Sequence, residues 1–156
     1  MGFFDRFLTR EIKSQAGRVV FRRWRAINTR WFQVLIHAVY DHDRDHFMHD
    51  HPWNFLSFIL KGGYMELYCD QNSIVSTRVA SPFTFKRMQA AGEYHKILRL
   101  LNGTSWSLVV TGKRERTWGY LTNQGWMNNE KYRRLKALGV FGPEPSKRYS
   151  ISPSRR

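Results

Sequence analysis

The stretch DHDRDHFMHDHPWNFLSFILKGG, residues 41–63, decides how this chain is interpreted. Its first half is dense in histidine and aspartate, whose imidazole and carboxylate groups are common metal ligands. Its second half contains an apolar run, residues 55–60, that is typical of a buried strand. The stretch therefore predicts ligands at the start of a rigid strand, which is a suitable support for a metal site.

Short β-rich runs separated by turn residues continue on both sides of this stretch. Turn signals such as Lys61-Gly62-Gly63 and Asn102-Gly103 divide the runs. The predicted strands cover residues 19–26, 31–40, 54–60, 64–69, 74–80, 83–88, 94–100, 105–111 and 117–121. Short strands at this spacing indicate an all-β antiparallel sandwich or barrel and not a βαβ fold.

The two ends of the chain have a different residue pattern from the strand-rich middle. Apolar residues at helical spacing predict an N-terminal helix over residues 3–13, and residues 128–138 predict a second helix that ends at Gly139. Residues 143–156, rich in Pro, Ser and Arg, are predicted to form a flexible basic tail. The length of 156 residues then predicts one domain, residues 1–142, with a barrel over about 18–122.

The charge balance favours an anionic partner. The formal net charge is +14, from 26 Lys and Arg against 12 Asp and Glu, which suits nucleic acid or a phosphorylated metabolite. The alternative is a basic surface that binds nothing. A lone cysteine, Cys69, excludes an intrachain disulfide and suits the cytoplasm, or the host cytoplasm if the chain is phage-encoded. No apolar run approaches the ~20 residues of a membrane span, so no membrane partner is expected.

Three histidines are the predicted metal ligands. His49 and His51 are two residues apart just before a strand, so on an extended chain both imidazoles point to one face. His95, after a turn at Gly92, opens another strand and is the best third ligand. The aspartates Asp41, Asp43 and Asp45 imitate a calcium loop, but Pro52 stands where an EF-hand needs Glu, so residues 41–46 are predicted to be a polar loop.

These residues resemble the two motifs of the cupin superfamily. His49-Asp50-His51 followed by Gly62-Gly63 is similar to the first motif, and Gly92 with His95 is similar to the second. The resemblance covers roughly residues 18–135 and extends to small cupin-like proteins of bacteria and bacteriophages that are mostly uncharacterised. It implies a double-stranded β-helix, or jelly-roll, barrel with short N- and C-terminal helices, and a homodimer of the kind that cupins often form.

One departure from the cupin pattern concerns the metal. The glutamate of the first motif is replaced by Phe55 or Leu56. This leaves a three-histidine site, similar to that of thiol dioxygenases, or a site completed by Asn54 or water. Three neutral imidazoles with open positions suit Fe(II), which we favour, and also Zn(II), Mn(II) or Ni(II).

Further polar residues are predicted to contact partners. Arg99, two residues beyond Ile97 on the predicted face of His95, is expected to bind a substrate anion, together with Arg87, Asn54 and a lining histidine, His37. Arginines beside tryptophans fit single-stranded nucleic acid, unless the tryptophans fill the core while the arginines stay solvated. The candidate nucleic-acid ligands are Arg22, Arg23, Arg25, Arg114, Arg116, Arg133 and Arg134.

These features favour a metal-dependent Fe(II) oxygenase, in the manner of a dioxygenase, acting on an anionic small molecule or a nucleic-acid component. Two alternatives stay open: a non-catalytic cupin that binds nucleic acid or a host protein through its basic surface, and a metal-dependent isomerase or hydrolase. The sequence names no catalytic residue and no substrate.

Overall fold

The computed structural model describes residues 6–14 and 16–142, and strands dominate this part of the chain. The strands are β1 (Leu8–Lys13), β2 (Val19–Asn28), β3 (Gln33–Val39), β4 (Met48–His49), β5 (Phe55–Lys61), β6 (Tyr64–Cys69), β7 (Val75–Ala80), β8 (Phe85–Met88), β9 (Tyr94–Leu100), β10 (Ser105–Thr111), β11 (Gly119–Thr122) and β12 (Gly125–Asn128), followed by the helix α1 (Asn129–Ala137). The strands β2, β3 and β5–β11 correspond to the predicted ones.

Two six-stranded antiparallel sheets face each other. The first sheet has the order β1-β2-β3-β10-β5-β8, and the second has the order β12-β11-β4-β9-β6-β7. Neighbours are mostly distant in sequence, so the chain alternates between the sheets as a jelly roll does. The predicted all-β, jelly-roll architecture is confirmed.

The predicted N-terminal helix over residues 3–13 is wrong for the part that the structure describes. Leu8–Lys13 forms a strand that pairs with β2, with Leu8 opposite Trp24 and Ile12 opposite Phe21. Without β1, the β2 strand would leave unpaired backbone groups at the edge of the sheet. Pairing therefore overrides the local helical periodicity. Residues 3–5 of the predicted helix lie outside the described residues.

The C-terminal helix forms close to where the sequence predicted it. The side chain of Asn128 caps α1 by accepting a hydrogen bond from the Glu130 amide, and Gly139 follows with a φ of 74°. The side chain of Tyr132, on the inner face of α1, is fully buried. No helix among residues 6–14 and 16–142 is long and apolar enough to cross a membrane. The predicted tail, residues 143–156, lies outside the described residues.

One apolar cluster lies between the two sheets, and a second lies between α1 and the second sheet. One is formed by Ile59, Tyr64, Ala80 and Ile97. The other lies beneath α1 and contains Tyr120, Met127 and Tyr132, with Phe47, Trp118, Leu135 and Phe141 packed against it. Burial of these side chains supplies the main stabilisation of the sandwich.

Candidate metal site

The structure brings together the three histidines that the sequence singled out. His49 on β4 lies directly opposite His95 on β9, and His51 follows two residues after His49. One ring nitrogen from each histidine lies within 4.8 Å of those of the other two. The Nε2 atoms of His51 and His95 are 2.8 Å apart. The three side chains therefore aim at one point.

Burial keeps two of these imidazoles neutral. It lowers the pKa of His51 well below its usual value, and the neighbouring His95 lowers it further. Burial and then the charge of Lys86 lower the pKa of His95 to about 4. Neutral imidazole is the form that ligates metals. A shared divalent cation would also satisfy two nitrogens that face each other at this distance, so the donor set fits such an ion.

Glu66 on β6 fixes the orientation of His95, a role that the sequence did not predict. Its carboxylate lies 2.7 Å from Nδ1 of His95 and is fully buried. An Nδ1–H group donates to this carboxylate, which leaves the lone pair of Nε2 directed toward His51. Carboxylates in this position fix the tautomer of metal-binding histidines. The cupin pattern placed the glutamate at residue 55 or 56, whereas this one is supplied by the next strand.

Lys86 and Arg78 neutralise the charge of Glu66. Nζ of Lys86 lies 2.5 Å from Oε2 of Glu66 and 3.3 Å from the Tyr64 hydroxyl, and a guanidinium nitrogen of Arg78 lies 3.0 Å from Oε1. Burial raises the pKa of Glu66, but Lys86 and His95 outweigh it and hold the pKa far below its usual value. Glu66 is therefore ionised. We call Glu66, Lys86, Arg78 and His95 the glutamate cluster.

The polar loop at residues 41–46 joins the site to its neighbours without forming a calcium loop. The carboxylate of Asp43 accepts from the Ile97 amide at 2.8 Å and lies 4.0 Å from Nδ1 of His49. The carboxylate of Asp45 accepts from the Tyr120 hydroxyl at 2.9 Å and from Lys136 at 2.8 Å. These hydrogen bonds hold the loop before β4 in place and so fix the position of His49 at the end of that strand.

Asp50, between the two ligand histidines, points away from them. It accepts from the Gly119 amide at 2.6 Å and from the Trp126 indole at 2.9 Å, and Arg116 lies 3.4 Å from it. Burial raises the pKa of Asp50. The residue ties the His-x-His segment to β11 and β12.

The expectation that Arg99 shares a face with His95 is wrong. A β-bulge in β9 lets Arg99 and Ile97 pair with the adjacent residues Met65 and Glu66. The extra residue turns Arg99 to the outer face, where it is exposed.

The other predicted substrate residues also differ in placement. Arg87 on β8 is exposed, and its neighbour Lys86 points inward instead. The side chain of Asn54 donates to Glu115 at 2.7 Å and accepts from the Ala90 amide at 2.8 Å, so its amide is used within the protein. His37 lies on the inward face of β3, two residues after the buried Leu35, and its Nε2 atom is buried.

The predicted nucleic-acid arginines fall into several environments. Arg22 pairs with Glu11 at 2.7 Å, and Arg116 pairs with Asp50. Arg23 lies opposite His37 and so shares its inward face. The side chains of Arg25, Arg114, Arg133 and Arg134 are exposed.

Comparison with solved structures identifies the fold. HppE in its FeII form with substrate matches with a TM-score of 0.53 at 11% identity, over 71% of this chain and 59% of that one. The polyketide cyclase RemF from Streptomyces resistomycificus matches with a TM-score of 0.51 at 14% identity, over 75% of this chain and 79% of that one. The chain has the cupin fold. No family profile and no curated protein sequence matches the chain, so the cupin likeness rests on structure.

Proposed function

We propose that this cupin-fold chain is a metal-dependent enzyme, an Fe(II) oxygenase that acts on an anionic small molecule or a nucleic-acid component. The observation that carries the proposal is the convergence of His49, His51 and His95 within 4.8 Å. Support also comes from the fold neighbour HppE, which was solved in an FeII form. Iron held by three neutral imidazoles keeps coordination positions open for O2 and substrate.

The surrounding residues have defined roles in this proposal. The three histidines hold the metal, and Glu66 keeps the Nε2 lone pair of His95 available by accepting from Nδ1. Trp118, whose ring centroid is 6.1 Å from that of His49, covers one side of the site and limits the entry of water. The fold thus supplies a rigid site with charged residues behind His95 and an aromatic residue beside His49.

The test is the metal content of protein purified without a histidine tag. We expect about one equivalent of a divalent metal in the wild type and none in His49→Ala, because two imidazoles hold such an ion poorly. His42→Ala is the matched control, since His42 lies in the polar loop and bonds to Asp41. Iron together with O2 consumption would support the oxygenase, and tightly bound zinc would favour hydrolysis. Metal-free wild-type protein after incubation with Fe(II) and Zn(II) would refute the metal centre.

A second candidate function, nucleic-acid binding, has its own supporting observation. A groove of about 370 Å³ is lined by Trp31, Trp53, Arg30, Lys113 and Arg114, among other residues. Trp31 is 62% exposed and carries the Arg30 guanidinium 4.3 Å from its ring centre. An exposed indole among cations suits a stacked base and its phosphates.

Single-stranded DNA binding by Trp31→Ala tests this second candidate. We expect affinity to fall by about 1–3 kcal/mol, the usual value of one stacked base, with a steep dependence on salt in the wild type. Unchanged affinity in this variant would refute the groove as a binding site. His49→Ala should bind DNA as the wild type does.

A further inference from the structure

A second group of basic residues faces the space between the sheets beside the metal site. Arg10 on β1 lies directly opposite Arg23 on β2, and Arg23 lies directly opposite His37 on β3. Directly opposed residues of antiparallel strands project to the same side of the sheet. The three side chains therefore share the face of the first sheet that carries the buried Leu35, two residues before His37.

Arg133 on α1 lies close enough to Arg10 for its charge to act on Arg10. Burial lowers the pKa of Arg10, and the charge of Arg133 on α1 lowers it further. The guanidinium of Arg133 also lies 5.7 Å from the ring centre of Trp118, the residue that covers His49. We call Arg10, Arg23 and Arg133 the arginine cluster. Through Arg133 the cluster reaches Trp118, which lies beside His49.

This cluster has no acidic partner. Arg10, Arg23 and Arg133 form no ion pair with any residue of the ranges 6–14 and 16–142. Burial lowers the pKa of Arg23, and the charges of Arg10 and Arg25 add to the effect. Nearby, Nε2 of His37 is buried and has no hydrogen-bond partner within the described ranges. Like charges that face each other across strands destabilise a sheet, so this arrangement costs stability unless an anion joins it.

We propose that the arginine cluster binds a phosphate-like dianion carried by the molecule that occupies the metal site. Guanidinium groups present planar pairs of donors that match phosphate oxygens. Two half-buried and one exposed guanidinium leave the site open on one side, as an entering ligand requires. Three positive charges without a counterion favour a dianion over a singly charged carboxylate. The location beside the substrate rests on the proposed metal function, whereas the anion site itself does not.

Inorganic phosphate is the probe that tests the cluster, measured by calorimetry on metal-free full-length protein at constant ionic strength. We expect a single site in the wild type and at least tenfold weaker binding in Arg10→Gln. Arg22→Gln is the matched control, because it removes the same charge one residue before Arg23 but from an arginine paired with Glu11. Acetate should bind at least tenfold more weakly than phosphate.

A second pair of variants keeps the test decisive if Arg10→Gln does not fold. Arg133→Gln, on the exposed face of α1, should weaken phosphate binding, and its neighbour Arg134→Gln should not. Absence of phosphate binding in the wild type, equal losses in Arg133→Gln and Arg134→Gln, or acetate binding as tight as phosphate would each overturn the proposal.

Metal analysis of the same variants separates the two hypotheses. Arg10→Gln should retain the metal content of the wild type, and His49→Ala should retain phosphate binding. Phosphate binding by a protein that takes up no metal would leave the anion site standing and refute only the metal function.

Discussion

The glutamate cluster and the pair Arg10 and Arg23 of the arginine cluster both face the space between the sheets, but only the glutamate cluster contains an acid. Lys86 and Arg78 converge on the single carboxylate of Glu66, whereas Arg10 and Arg23 face each other without an acid in the described part of the chain. A buried charge with its partner in place holds a structure in one arrangement. A group of like charges without a countercharge is destabilising, and an anionic ligand would relieve this repulsion.

Glu66→Gln should have the largest effect, because it leaves the ammonium of Lys86 buried without a countercharge. We expect the free energy of unfolding to fall by about 3–5 kcal/mol and metal affinity to fall 10–100-fold as His95 loses its acceptor. Urea unfolding and a competitive chelator titration measure the two effects. The double variant Glu66→Gln/Lys86→Met should recover part of the stability but none of the metal affinity. Equal stability of the single and double variants would contradict the pairing.

His37, next to the arginine cluster, should make the protein sensitive to acid. Burial, Arg23 and Arg10 lower its pKa from 6.5 to about 3 in the folded state. As the pH falls from about 6.5 toward 3, His37 binds a proton in the unfolded chain but stays neutral in the folded chain. The free energy of unfolding therefore falls by up to about 1.4 kcal/mol per pH unit. In His37→Gln, the free energy of unfolding should depend on pH with a slope smaller by this amount, as measured by urea unfolding of metal-free protein at several pH values. Parallel pH profiles would mean that His37 does not titrate in this way.

Arg78→Gln should have a smaller effect than Glu66→Gln. The variant removes one of the two cations from Glu66, but Lys86 remains 2.5 Å from Oε2. Arg78 is also one-third exposed, so solvent screens the pair. We expect the free energy of unfolding to fall by about 1 kcal/mol, with metal affinity unchanged. A loss as large as that of Glu66→Gln would show that Lys86 alone cannot neutralise the carboxylate.

Arg10→Gln should have the smallest effect and the opposite sign. Removing one of two like charges that face each other should stabilise the protein by about 0.5 kcal/mol in phosphate-free buffer of low ionic strength, and salt should abolish the gain. Lys13→Gln on the same strand is the control, because Lys13 pairs with Glu11 at 3.3 Å and its loss should not stabilise. A loss of stability in Arg10→Gln would show that Arg10 is neutralised within the protein.

Much of the fold was predictable because its signals are local. The glycines at the turn between β5 and β6 are an example: Gly62 has a φ of 82°, and a Cβ atom there would lie 1.7 Å from the carbonyl oxygen of Thr104. A turn that only glycine can form is visible in the sequence. The N-terminal segment shows the opposite case, since β1 exists only through its pairing with β2, which no local pattern reports.

The residues of the candidate site also fall into two groups, those with a local sequence signal and those placed by distant parts of the chain. His49 and His51 were predictable from their i, i+2 spacing just before a strand. Glu66 carried a weak signal, a lone acid between Met65 and Leu67 in an apolar strand, but its partner on β9 was not visible. A bulge in that same strand turned Arg99 outward, and no feature of the sequence near residue 98 marked the bulge.

The sequence by itself determined the strand-rich fold, the turns and the three histidines, because alternation, glycine and an i, i+2 spacing act within a few residues. Only the tertiary structure decided that Glu66 and Lys86 lie behind His95, and that Arg10 and Arg23 share the inward face that carries His37. The physical reason is strand register: a shift of one residue moves a side chain to the other face of the sheet. Register is set by partners that are distant in sequence.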